Sequence, residues 1–94
     1  MTEKELRFEI IKVGKRLYDA RLAVAKSGNL SVKLDADNIL ITATGTYLGQ
    51  LNDSDIVKVN LASGKYEGEI KPSSELPLHI LVYKNFPAQV VVHC

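Results

Sequence analysis

The sequence predicts a mixed α/β domain whose sheet contains antiparallel pairs. Three observations predict it: an opening segment with helical periodicity, a middle segment with period two broken by turn residues, and a second helical segment running into a β-branched stretch.

Thr2-Glu3-Lys4-Glu5 has the spacing of a capping box, and Leu6, Ile10, Val13, Leu17 and Ala20 follow at three- and four-residue steps. A helix with one buried stripe is expected, with Ser27-Gly28 as its stop. From Leu30 the period falls to two: Leu30, Val32 and Leu34 alternate with Ser31 and Lys33, and Asp35-Ala36-Asp37-Asn38 reverses the chain into Ile39-Leu40-Ile41-Thr42. That is a β-hairpin. Ala43 to Leu51 mixes small and polar residues and suits a loop with one helical turn. Ile56 to Leu61 is another strand, followed by the turn Ala62-Ser63-Gly64-Lys65 and a short strand near Tyr66.

Ile70-Lys71-Pro72 leads to a second helix with Ser74 as N-cap, Pro77 in the first turn, and Leu76, Ile80 and Tyr83 on one face. Phe86-Pro87 stops it, and Gln89 to Cys94 has the composition of a buried strand. Because an apolar strand end leaves backbone groups unpaired, the last residues suggest a chain that continues in its natural form.

Composition narrows the class of function. The 94 residues carry 12 Lys plus Arg against 11 Asp plus Glu, a formal charge of +1, and the basic residues are scattered. No electrostatic footprint for nucleic acid results. No apolar run approaches the roughly 20 residues of a membrane-spanning helix. The single cysteine forms no internal disulfide, and no signal-type segment opens the chain, so a cytoplasmic protein is expected.

Three short segments could hold an anion: Gly28-Asn29, Thr44-Gly45 and Ser73-Ser74. Glycine lets the backbone come close, hydroxyls add donors, and the serines precede a helix whose dipole favours negative charge. Each segment also has an ordinary role as a cap or turn. Glu75 reads either as dipole complement in a first helical turn or as a proton-moving carboxylate beside a bound ester. His79, one turn further on, reads as structural. His93 reads as a buried hydrogen-bonding residue or a metal ligand, and Cys94 as a small buried residue.

Taken in order, Gly28-Asn29-Leu30-Ser31, Ile41-Thr42-Ala43-Thr44-Gly45, Lys71-Pro72-Ser73-Ser74-Glu75 with Leu78-His79, and Val91-Val92-His93-Cys94 resemble the class II aldolase and adducin head family, in particular its fuculose-phosphate aldolase branch. The resemblance implies a layered α/β fold, a central mainly antiparallel sheet flanked by helices, with residues 1–94 the N-terminal part of one domain and its C-terminal remainder missing. It implies that Gly28, Asn29, Thr44, Gly45, Ser73 and Ser74 bind a substrate phosphate, that Glu75 is the catalytic acid/base and can contact the metal, and that His93 is a zinc ligand. It further implies one zinc per subunit, a ketose 1-phosphate substrate such as L-fuculose 1-phosphate cleaved to dihydroxyacetone phosphate and an aldehyde such as lactaldehyde, and a homotetramer. The alternatives are a related sugar-phosphate epimerase, which in this family typically carries Asp where this chain has Glu75, a dehydratase on the same scaffold, or a non-catalytic adducin-like assembly domain. The family's second zinc histidine would fall one residue beyond Cys94, so residues 1–94 alone are expected to be inactive.

Overall fold

The computed structural model describes all residues from Met1 to Cys94. Helix α1 spans Glu3–Asp19, and its capping box forms as read: the Thr2 hydroxyl accepts from the Glu5 N–H, and the Glu5 carboxylate accepts from the Thr2 N–H. The helix ends earlier than expected. The Leu22 N–H bonds the Leu17 carbonyl, the Arg21 N–H bonds the Tyr18 carbonyl, and Arg21 takes φ +62°, the left-handed residue of a Schellman motif. The spent carbonyls leave nothing to propagate, and residues 20–28 form a loop in place of the predicted last turns.

Strands β1 (Asn29–Lys33), β2 (Asn38–Thr42), β3 (Ile56–Asn60) and β4 (Val90–His93) make one antiparallel sheet in the order β3-β2-β1-β4. The predicted hairpin is β1–β2, closed by Asp35, whose carboxylate accepts from the Asp37 and Asn38 N–H groups. The short strand near Tyr66 reduces to a single bridge with Val59. Two short 3₁₀ turns, Leu48–Gln50 and Asp53–Asp55, fill the connection from β2 to β3.

Helix α2 spans Leu76–Asn85, with Glu75 rather than Ser74 at the cap position. Ser73 does the capping work, its hydroxyl accepting from the Glu75 N–H and its carbonyl from the Leu76 N–H. Pro77 sits in the first turn, as read.

Strand alternation sorts the core into two layers. Leu30, Val32, Leu40 and Ile56 face α1 and pack with Ile10, Leu48 and Leu51. Ile39, Ile41, Val57 and Val59 face the other way and pack with Tyr83 of α2. The final strand departs from expectation. It lies at a sheet edge with Val91 and His93 only partly buried on one face, and Val90 and Val92 about half exposed on the other.

Gly14 lets α1 lie directly on the 3₁₀ turn, since a Cβ there would come within 2.5 Å of the Leu48 carbonyl oxygen and 2.9 Å of Leu51 Cδ1. Gly14→Ala is therefore expected to destabilise the chain by about 1–3 kcal/mol through overpacking, against a helix-propensity gain of about 1 kcal/mol. Urea unfolding of the two proteins checks this, and an unchanged or higher midpoint would contradict the packing.

Candidate functional site

In an antiparallel pair the start of one strand lies beside the end of its neighbour. The start of β1 therefore lies beside the ends of both β2 and β4, and the register sets Asn29 opposite His93. Residues 43–46 leave β2 at this same end. They are tied to the segment before α2 by the Ala43–Pro72 bridge, the Thr44 N–H to Lys71 carbonyl bond and the Ser73 N–H to Thr42 carbonyl bond. Three loops distant in sequence thus meet at one edge.

They enclose a cleft of about 350 Å³. Gly28, Asn29, Thr44, Gly45, Ser73 and Ser74 all line it, together with Glu75 and His93. Every residue selected from the sequence as a site candidate is in this one cleft. Lys26, Ser27 and Thr46 line it too and were not singled out. The loop ahead of Gly28 was read as the tail of a helix, which concealed Lys26. Its ammonium lies 5.7 Å from the Tyr47 ring centroid and pairs with no carboxylate.

The walls are rich in uncommitted donors. The backbone N–H groups of Gly28, Gly45, Thr46 and Ser74 donate to no atom of the chain, and the Thr44 and Ser74 hydroxyls have no partner within it. By contrast, the N–H groups of Thr44 and Ser73 are used in holding the loops together. Gly45 has φ +71°, a conformation side chains rarely adopt. Gly28 has φ +87°, and a Cβ there would lie 3.0 Å from Leu48 Cδ1. Convergent N–H and O–H donors with one lysine suit a small anion such as a phosphate ester.

Behind this wall lies a buried polar chain. His79, fully buried, has Nδ1 2.6 Å from Ser31 Oγ and Nε2 against Asn29 Oδ1, and Ser31 Oγ is 2.9 Å from the Tyr83 hydroxyl. Burial, and secondarily the neighbouring His93, lowers the His79 pKa to about 4, so the ring is neutral at pH 7.

The metal reading can be tested on the donors present. His93 Nδ1 is a buried ring nitrogen with no hydrogen-bond partner, and the Glu75 carboxylate, which accepts no hydrogen bond from the chain, lines the same cleft. Imidazole and carboxylate are both zinc donors. They fit part of a zinc site and do not make a whole one: Cys94 lines the same cleft, but no three His, Cys, Asp or Glu side chains are grouped closely enough to hold a metal ion, whereas a catalytic zinc takes three protein ligands. A larger groove of about 820 Å³ runs beside β3 and residues 65–70. Lys58 and Arg7 there pair with Glu3, while Lys65, Glu67 and Glu69 make no ion pair; none of the site residues selected from the sequence lines it, so the smaller cleft is the candidate site.

A helix-flanked antiparallel sheet with polar loops gathered at one end is the class II aldolase fold. The family model described as "Class II Aldolase and Adducin N-terminal domain" matches residues 8–94, and the chain belongs to that family. It is 43% identical over 86 residues to an L-fuculose phosphate aldolase of Methanococcus vannielii, covering 90% of this chain and 46% of the relative. It is 37% identical over 93 residues to a 3-oxo-tetronate 4-phosphate decarboxylase of Pectobacterium atrosepticum, covering 98% and 42%. It is 36% identical over 87 residues to a methylthioribulose-1-phosphate dehydratase of Pseudomonas savastanoi pv. phaseolicola, covering 93% and 43%. Among solved structures, an L-fuculose 1-phosphate aldolase superposes with TM-score 0.88 at 32% identity, over 100% of this chain and 45% of that one. The chain therefore spans less than half the length of these relatives. No helix is long and apolar enough to cross a membrane.

The buried His79 predicts a pH dependence. Between pH 6.5 and about 4 the unfolded chain holds the histidine proton and the folded chain does not, so stability rises with pH across this window and is lost as pH falls through it. The expected contribution is about 3 kcal/mol. Urea unfolding at pH 7, 5.5 and 4 should show this slope in the native sequence and a shallower one in His79→Gln; equal slopes would contradict it.

Proposed function

We propose that residues 1–94 are the N-terminal, phosphate-binding part of a single-domain, zinc-dependent aldolase that cleaves a ketose 1-phosphate such as L-fuculose 1-phosphate. The supporting observation is the cleft itself, where unpaired N–H and O–H donors stand beside a free carboxylate and an unpartnered imidazole nitrogen. In this reading the donors of Gly28, Asn29, Thr44, Gly45, Ser73 and Ser74 hold the phosphate and so fix the distance from the ester to the reacting carbons.

Glu75 follows Ser74 directly and moves the proton. As the bond between the carbinol carbon and the carbon next to the carbonyl breaks, the carbinol hydroxyl gives its proton to a base and becomes the aldehyde carbonyl, and the electron pair is left on the carbon next to the ketone carbonyl. Glu75 serves as the acid and base that exchanges a proton with the three-carbon product. Its carboxylate and the His93 ring would hold zinc, which when bound supplies Lewis-acid stabilisation of negative charge on the substrate oxygens. The homotetramer and the cytoplasmic setting belong to this same reading.

The names of the relatives differ in the fragment lost: an aldehyde by C–C cleavage in the aldolases, carbon dioxide by C–C cleavage in the decarboxylase, and water by C–O cleavage in the dehydratase. All three reactions need negative charge stabilised next to a carbonyl, and one scaffold can serve them. Assaying the complete enzyme against fuculose 1-phosphate, a 3-oxo-tetronate 4-phosphate and methylthioribulose 1-phosphate separates them. Turnover of the last two alone would overturn the aldolase assignment.

Glu75→Gln in that enzyme is expected to lower turnover by about 10²–10⁴-fold while changing inorganic phosphate affinity little. Full activity would remove Glu75 from the mechanism. For residues 1–94 alone, titration calorimetry should find weak zinc binding, since no three His, Cys, Asp or Glu side chains are grouped to hold the ion. A tight one-to-one complex, whether or not the Cys94 thiol at the cleft joins Glu75 and His93, would contradict the assigned ligand set.

A further inference from the structure

We propose that His79 is a positioning residue: it fixes the Asn29 carboxamide with the oxygen held by the protein and the NH₂ group aimed into the cleft. The inference rests on the assignment of that cleft as the phosphate site, and concerns how one of its donors acquires its sign.

The polarity follows from what each group can do. A neutral imidazole has one N–H and one accepting nitrogen, and a carboxamide oxygen only accepts. With Asn29 Oδ1 facing His79 Nε2, the ring hydrogen must be on Nε2. Nδ1 is then the acceptor and takes the hydrogen of the Ser31 hydroxyl, 2.6 Å away. Ser31 Oγ in turn accepts from the Tyr83 hydroxyl at 2.9 Å. The chain Tyr83, Ser31, His79, Asn29 thus donates in one direction, each bond polarising the next.

Its open end lies in the cleft. The Asn29 amide nitrogen has no partner within the chain, although the residue as a whole is buried and lines the site. The opposite tautomer would turn the amide over. A carbonyl oxygen would then face the anion, and an attractive contact would become a repulsive one. The state of a histidine that touches no ligand therefore sets the sign of a group that does. Asn29 is held ready by a ring in the protein interior, so no amide rotation is left to be frozen on binding.

The test uses the ¹⁵N-labelled 94-residue chain. Long-range ¹H–¹⁵N spectra of the imidazole should show hydrogen on Nε2 and an accepting Nδ1; the Nδ1–H form would overturn the proposal. Inorganic phosphate is then titrated while the Asn29 side-chain NH₂ signal is followed in three proteins. His79→Gln keeps an N–H donor near the Nε2 position and should bind within about threefold of the native chain, whereas His79→Leu should bind about tenfold more weakly, the loss of one hydrogen bond. A folded Leu variant that binds like the native chain, or a folded Gln variant as weak as Leu, would reduce His79 to packing and overturn the proposal. If the Leu variant does not fold, the tautomer and the Gln variant still decide. An Nε2–H ring with an Asn29 signal indifferent to phosphate supports the positioning and instead overturns the phosphate assignment.

Discussion

The pairing of β1 with β2 on one side and β4 on the other is the constraint from which the site follows. Antiparallel partners bring opposite ends together, so residues near positions 29, 43 and 93 converge at one end of the sheet. A parallel β4 would have carried His93 to the far end. Strand alternation then decides orientation: Asn29, Ser31, Val91 and His93 share the face toward α2, while Leu30, Val32 and Leu40 share the face toward α1. One face of β1 builds the core, and the other carries the polar chain behind the cleft.

That division has an energetic consequence. Asn29, Ser31 and His79 are polar groups in a small core, and each would cost stability if left unpaired. They are tolerated because they bond to one another and to Tyr83. The His93 nitrogen is the exception, buried without a partner in the same neighbourhood. Orphaned polar atoms are rare in folded proteins, and here the exception coincides with the candidate ligand of the proposed zinc. The same end of the sheet holds the unpaired loop N–H groups. Internal hydrogen bonding is therefore incomplete at the cleft and nearly complete behind it.

Belonging to the class II aldolase and adducin family fixes the fold and leaves the reaction open. Relatives of similar identity are named for aldol cleavage, decarboxylation and dehydration, and the chain spans less than half the length of each. The common element is a phosphorylated compound bearing a carbonyl. In the proposed reading, the cleft's loops hold the phosphate that is part of that common element. The groups that distinguish an aldehyde from carbon dioxide or water as leaving fragment would act at the other end of the substrate.

By itself the sequence determined what is local. Capping residues and three-to-four spacing determined α1 through Thr2 and Glu5. Period two with an Asp-rich turn determined the β1–β2 hairpin, and ordered short motifs supplied the cleft residues and the family. These depend on neighbours a few residues apart, which a linear pattern records. Tertiary structure decided the rest. It ended α1 at a left-handed Arg21 in place of Gly28, shifted the α2 cap to Glu75, exposed one face of β4 and admitted Lys26 to the cleft. It also joined His79 to Asn29 across 50 positions. Edge position, loop path and hydrogen-bond polarity depend on which distant segments the packing brings into contact, and no spacing along the chain encodes that.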